Sequence, residues 1–121
     1  LKGRTCADGR SQRSFISKEE AVSPACSNEA LMITMVVAAY ENRKHATCDV
    51  TSAYLHADQD DFVVIKVQGQ IVDILCAKNP GYEEFVVIEG GKRTLYMQLL
   101  KALYGCIKSA LLWYNLFTKS L

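Results

Sequence analysis

Residues 85 to 98 leave the backbone little choice. Phe85-Val86-Val87-Ile88 and Thr94-Leu95-Tyr96-Met97-Gln98 are apolar and rich in β-branched and aromatic residues, and Glu89-Gly90-Gly91-Lys92 lies between them. Adjacent glycines between two such stretches mark a tight reversal, so the chain is committed to an antiparallel hairpin. Phe62-Val63-Val64-Ile65-Lys66-Val67 reads as a further strand ended by Gln68-Gly69-Gln70, and residues 46–50 are predicted as a strand that pairs with it.

Helical signals frame these strands. Ser27 is placed to cap a helix that runs to Tyr40 or Arg43, with Glu29 in the first turn facing the positive end of the helix. Its apolar run, residues 30–40, is broken only by Thr34 and predicts a buried helix, because it is far shorter than the roughly 20 residues a membrane span needs. Residues 71–77 predict a short helix stopped by Asn79-Pro80-Gly81, and residues 51–57 a tight turn or a single helical turn. After Gly105, apolar residues at Ile107, Ala110, Leu111, Tyr114, Phe117 and Leu121 fall on one stripe of a last helix. Residues 1–20 are polar and read as an extended arm or loose strand pair, although Ser17 and Glu20 have the spacing of a capping box.

The 121 residues amount to one small domain, and a hydrophobic content of 50% is enough for a core. A formal net charge of only +1 argues against a nucleic-acid grip held by charge alone. The five cysteines, Cys6, Cys26, Cys48, Cys76 and Cys106, contain no C-x-x-C pair, which excludes zinc-ligand spacing and fits reduced thiols in a cytosolic or nuclear setting. The chain opens on Leu1-Lys2-Gly3-Arg4 with neither an initiating Met nor a signal segment, and reads as an excised piece.

Chemistry concentrates in His45-Ala46-Thr47-Cys48-Asp49-Val50-Thr51-Ser52-Ala53-Tyr54-Leu55-His56, where an apolar stretch delivers one carboxylate and, five positions later, an aromatic ring. Asp49 and the Val50 carbonyl are hard oxygens suited to magnesium. Far downstream comes Leu99-Leu100-Lys101-Ala102-Leu103-Tyr104-Gly105-Cys106-Ile107-Lys108-Ser109-Ala110-Leu111-Leu112-Trp113-Tyr114, and near the start Lys2-Gly3-Arg4 and Asp8-Gly9-Arg10. In this order the three blocks resemble copia-type LTR retrotransposon (Pseudoviridae-like) reverse transcriptases. The downstream block matches the family's L-x-K-A-L-Y-G-L-K-x-x-x-x-W-Y. Lys108 stands one position later than the family's Lys, and Ile107, Ala110 and Leu111 replace its usual Lys, Pro and Arg.

The resemblance implies an α+β fold, partly fingers and partly palm: residues 1–44 a fingers-like arm and helix, residues 45–121 the first half of a palm that ends before the catalytic Asp-Asp hairpin. A small antiparallel sheet would bear Asp49 and be covered by two main helices, residues 27–43 and 105–121. The parent would be an RNA-directed DNA polymerase that extends a primer by two-metal nucleotidyl transfer. Asp49 would be catalytic and, with Val50, would bind Mg2+ or Mn2+. Tyr54 would be the steric gate against a 2′-hydroxyl, and Lys2, Arg4, Tyr104 and Gly105 would bind nucleotide. Partners would be an RNA or DNA template-primer, deoxynucleoside triphosphates and the rest of the Pol polyprotein, with no membrane, in the cytoplasm within a virus-like particle or in the nucleus. The remaining carboxylates would come from a Tyr-x-Asp-Asp tetrad absent from this sequence, so the fragment alone is expected to be inactive. Asp58, Asp60 and Asp61 match an acidic connection of the family and read as a solvated charge run. A rival reading is a non-catalytic remnant of a decayed element that acts as a nucleic-acid-binding or structural domain. An Asp-nucleophile phosphohydrolase is disfavoured, because Thr51 stands where that chemistry needs a second Asp.

Overall fold

The computed structural model describes residues 5–121 and is an α+β fold built on one antiparallel sheet. Strands β1 (Val64–Gln68), β2 (Val87–Glu89) and β3 (Lys92–Gln98) lie in the order β1-β3-β2. The hairpin turns where the glycines predict: Gly90 and Gly91 hold φ of 58° and 73°, values that a β-carbon disfavours, and Glu89 pairs with Lys92 across the reversal. On its other edge β3 takes β1, in register from Val64 opposite Gln98 to Gln68 opposite Thr94.

That pairing corrects the strand expected at residues 46–50, which form no strand and are exposed throughout. A strand is stable only through its ladder. β3 meets β1 along the whole length of β1, and the pairing continues past both ends through Leu99 N–H to the Val63 carbonyl (2.9 Å) and Gly69 N–H to the Arg93 carbonyl (3.0 Å). Residues 46–50 have no strand partner among the described residues, and the sheet does not bear Asp49.

Helix α1 (Asn28–Tyr40) begins as the sequence predicts: the Ser27 hydroxyl accepts from the Ala30 N–H at 3.2 Å. Its burial is a correction. Only Ala38 is buried, while Ile33 is 65% and Val36 68% exposed, and α1 makes no extensive packing with another element among the described residues. Helix α2 (Gln70–Lys78) holds the place that α1 was expected to fill, folded back across β1 and β3. Val72 and Leu95 are its buried centre, at 0% and 1% exposure. Arg93 of β3 clamps this corner by pairing with Asp73 of α2 at 3.4 Å and with Glu83 of the 3-10 turn Pro80–Phe85 at 2.6 Å.

A polar set on the sheet shows why no further helix covers it. Lys66 reaches Glu89 at 2.8 Å, and the Tyr96 hydroxyl donates to the same carboxylate at 2.7 Å. Helix α3 (Ser109–Ser120) therefore lies against the 3-10 turn Ala53–His56 instead of covering the sheet. It starts later than the sequence implies, because Gly105 sits at φ 92°, a value that a right-handed helix cannot hold. The arm is also not the expected extended chain. Gly9–Ser14 is a 3-10 helix capped by Asp8, whose Oδ1 accepts from the Arg10 N–H at 3.1 Å. The capping box forms, with Ser17 N–H to Glu20 Oε2 at 3.2 Å and Glu20 N–H to Ser17 Oγ at 3.3 Å.

Leu95→Ala should lower the unfolding free energy by about 3 kcal/mol, because it empties a site with no exposure. Ile33→Ala in α1 should change it by less than about 0.5 kcal/mol. Urea denaturation of the two variants checks this, and equal costs would contradict the division between the α2–sheet core and an uncovered α1.

Candidate functional site

Between Asp49 and Tyr54 the chain turns sharply. Ser52 takes the left-handed conformation (φ 56°, ψ 38°), which is uncommon for a residue with a side chain and concentrates at functional or tightly constrained turns. The single 3-10 turn Ala53–His56 follows, as the sequence allows, and the His56 ring nitrogen lies 3.2 Å from the Thr51 carbonyl and braces the reversal. Tyr54 is thereby turned inward and half-buried, while Asp49 and Val50 remain exposed on the unpaired segment.

The facing wall is the stretch that leaves β3. Ala102 N–H donates to the Ala57 carbonyl at 2.9 Å and Gln59 N–H to the Leu100 carbonyl at 3.0 Å, which joins residues 57–59 to 100–102. Ala57 and Ala102 are buried at this seam, and Lys101 pairs with Asp58 at 2.5 Å. The chain then carries Tyr104 onto Tyr54, with ring centroids 4.6 Å apart and planes inclined by 34°. Two of the nucleotide-binding residues expected from the sequence are thus brought together. The rings are in direct contact in a tilted arrangement, within the centroid range of interacting aromatic pairs.

The seam holds more than the sequence reveals. Lys108, with a side chain only 9% exposed, reaches Asp60 at 2.7 Å, Asp61 at 2.8 Å and Glu20 at 3.6 Å. Asp60 and Asp61 remain exposed to solvent, as the sequence suggests, but both are also engaged by Lys108, which the sequence does not signal. Burial alone would push the Lys108 ammonium down, but hydrogen bonds to Asp60 and Asp61 outweigh it and hold its pKa well above the usual lysine value. Lys108 stays charged at neutral pH, and the stability it contributes is lost only in strongly alkaline solution.

Gly105 is closed off by the arm. The Ala7 N–H donates to the Tyr104 carbonyl at 2.7 Å. A β-carbon on Gly105 would overlap the Ala7 backbone, and one on Gly9 would overlap the Gly105 carbonyl. Here the missing side chain lets the backbone of the arm come close. The Ile107 N–H donates to Gln12 Oε1 at 2.9 Å and fixes the same turn, a contact that nothing in a polar arm foretells. Lys2 and Arg4 lie outside the described residues.

Asp49 and the Val50 carbonyl are suitable donors for magnesium but make an incomplete set, and among the described residues no group of three or more His, Cys, Asp or Glu gathers as a metal site. A cleft of about 880 Å³ opens elsewhere, between the arm and β1, lined by Phe15, Ile16, Phe62, Ile65 and Ile71 among others but not by Asp49, Val50, Tyr54 or Tyr104. Among the described residues no helix is long and apolar enough to cross a membrane. No family model, curated protein or solved structure matches the chain.

Several carboxylates are held below their ordinary value. The Cys76 thiol and then Arg93 act on Glu83, Lys66 and then Tyr96 on Glu89, and Ser17 on Glu20. Each folded value lies below the unfolded 4.5, so the stabilisation is complete above about pH 4.5 and is lost as pH falls through the folded values. Denaturation midpoints should fall between pH 6 and pH 3, and the combined Glu83→Gln and Glu89→Gln variant should show a smaller fall. Identical pH dependence in variant and parent would contradict these pairings.

Proposed function

We propose that the chain is the fingers and first half of the palm of a copia-type reverse transcriptase, part of an RNA-directed DNA polymerase that pairs a template-primer with deoxynucleoside triphosphates. One observation carries this reading: Tyr54 and Tyr104, which come from separate sequence blocks and are both assigned to the nucleotide by the resemblance, form a single aromatic pair with centroids 4.6 Å apart. The order of the three blocks along the chain supports it. So does the left-handed turn at Ser52, which separates Asp49 from the ring five positions later.

In this reading the Tyr54 ring lies under the sugar and excludes a 2′-hydroxyl by contact, while Tyr104 supports it from behind. Asp49 is exposed to solvent five positions before Tyr54. A bound magnesium or manganese would supply Lewis acidity to the phosphoryl group, and it needs carboxylates beyond those present here. Gly105, at φ 92°, shapes the turn that presents Tyr104.

Primer extension on an RNA template tests the proposal. The 121-residue chain should give no extension with magnesium or manganese, and a longer polymerase that joins it to a Tyr-x-Asp-Asp element should extend. Asp49→Asn should abolish that activity, and Tyr54→Ala should raise ribonucleotide incorporation at least tenfold relative to deoxynucleotide. Activity that survives Asp49→Asn would sink the assignment. A longer chain that binds template-primer but never extends it would favour the non-catalytic remnant.

A further inference from the structure

We infer that Lys108 is a positioning residue whose ammonium, gripped by Asp60, Asp61 and Glu20, sets how the rings of Tyr54 and Tyr104 meet. The inference rests on the reading of those rings as the nucleotide-facing pair. Its physical content, the control of one side-chain contact by a distant ion cluster, can be tested without nucleotide.

The connectivity carries it. Tyr104 lies within a turn anchored twice to the same segment. At its start, Lys101 pairs with Asp58 and the Ala102 N–H bonds to Ala57. At its end, Lys108 doubles back to Asp60 and Asp61, and the Ser109 hydroxyl closes the turn by donating to the Leu103 carbonyl at 2.7 Å. Residues 57–61 begin where the Ala53–His56 turn that carries Tyr54 ends. Both rings are therefore referred to one short stretch of chain, and Lys108 is the second of the two fastenings. The contacts from Ala7 and Gln12 fix the turn against the arm, not against residues 57–61.

A lysine suits the role better than an apolar residue. An apolar side chain would fill the space with little preference for partner, whereas an ammonium with three donors draws the carboxylates around it to one point. Removing it would also leave Asp60, Asp61 and Glu20 facing one another as like charges, which drives their segments apart.

The test reads the ring resonances of Tyr54 and Tyr104 in the 121-residue chain by NMR, since each ring shifts the other at this spacing. Tyr104→Leu supplies the position of an unpaired Tyr54 ring, and the Tyr96 and Leu95 resonances report on the sheet. In Lys108→Met the Tyr54 ring should move more than halfway to that unpaired position while Tyr96 and Leu95 stay in place. Lys108→Arg, which keeps the charge, should restore at least most of the parent spectrum. The combined Asp60→Asn and Asp61→Asn variant should reproduce the shift of Lys108→Met. A folded Lys108→Met with an unmoved Tyr54 ring would overturn the inference. Loss of the sheet resonances in both the Met and the Asn variants would overturn it as well, since the cluster would then support the whole fold rather than one contact. The polymerase proposal fails or stands separately, on primer extension.

Discussion

Both edges of β3 are occupied, one by β1 and the other by β2, and this double pairing governs what the rest of the chain can do. It buries Thr94 and Leu95 and gives α2 an apolar surface to cross. It also sends the chain out past Gln98 in the direction that lays residues 100–102 against 57–59. A hydrogen-bonded central strand is the most costly element to displace, since moving it exposes two ladders at once. Tyr104 inherits its position from that strand.

The sheet was legible in sequence where local chemistry decides the backbone. Gly90-Gly91 demanded a reversal, Ser27 a helix start, and Ser17 with Glu20 a reciprocal cap, and each appears where the residues place it. Long-range competition was not legible. Residues 46–50 have strand composition, but composition cannot say that β3 meets β1 along its whole length. Helix α1 is apolar on every side, so no stripe directs it to a surface, and α2, with Val72 fully buried, takes the sheet.

The candidate site divides in the same way. Asp49, Tyr54 and Tyr104 could be singled out from motif spacing, and the meeting of the two rings follows once β3 is in place. Lys108 is marked in sequence only by standing one position after the family's Lys, and its ion pairs are not legible there, because Asp60, Asp61 and Glu20 come from two remote segments. Gln12 is a polar arm residue whose long-range bond from the Ile107 N–H, likewise illegible in sequence, fixes the turn beside Tyr104. The freedom of Gly105 from a β-carbon is legible in sequence, whereas the close approach of Ala7 and Gly9 to it is not.

The central claim is that two remote segments assemble one surface for a nucleotide around Tyr54 and Tyr104. Titration of the chain with dATP and magnesium, followed through its amide and ring resonances, tests this directly. The account predicts shifts that concentrate at Tyr54, Tyr104 and Asp49 and are weaker with ATP, whose 2′-hydroxyl meets the Tyr54 ring. Shifts confined to the cleft between the arm and β1, or equal responses to dATP and ATP at Tyr54, would contradict it.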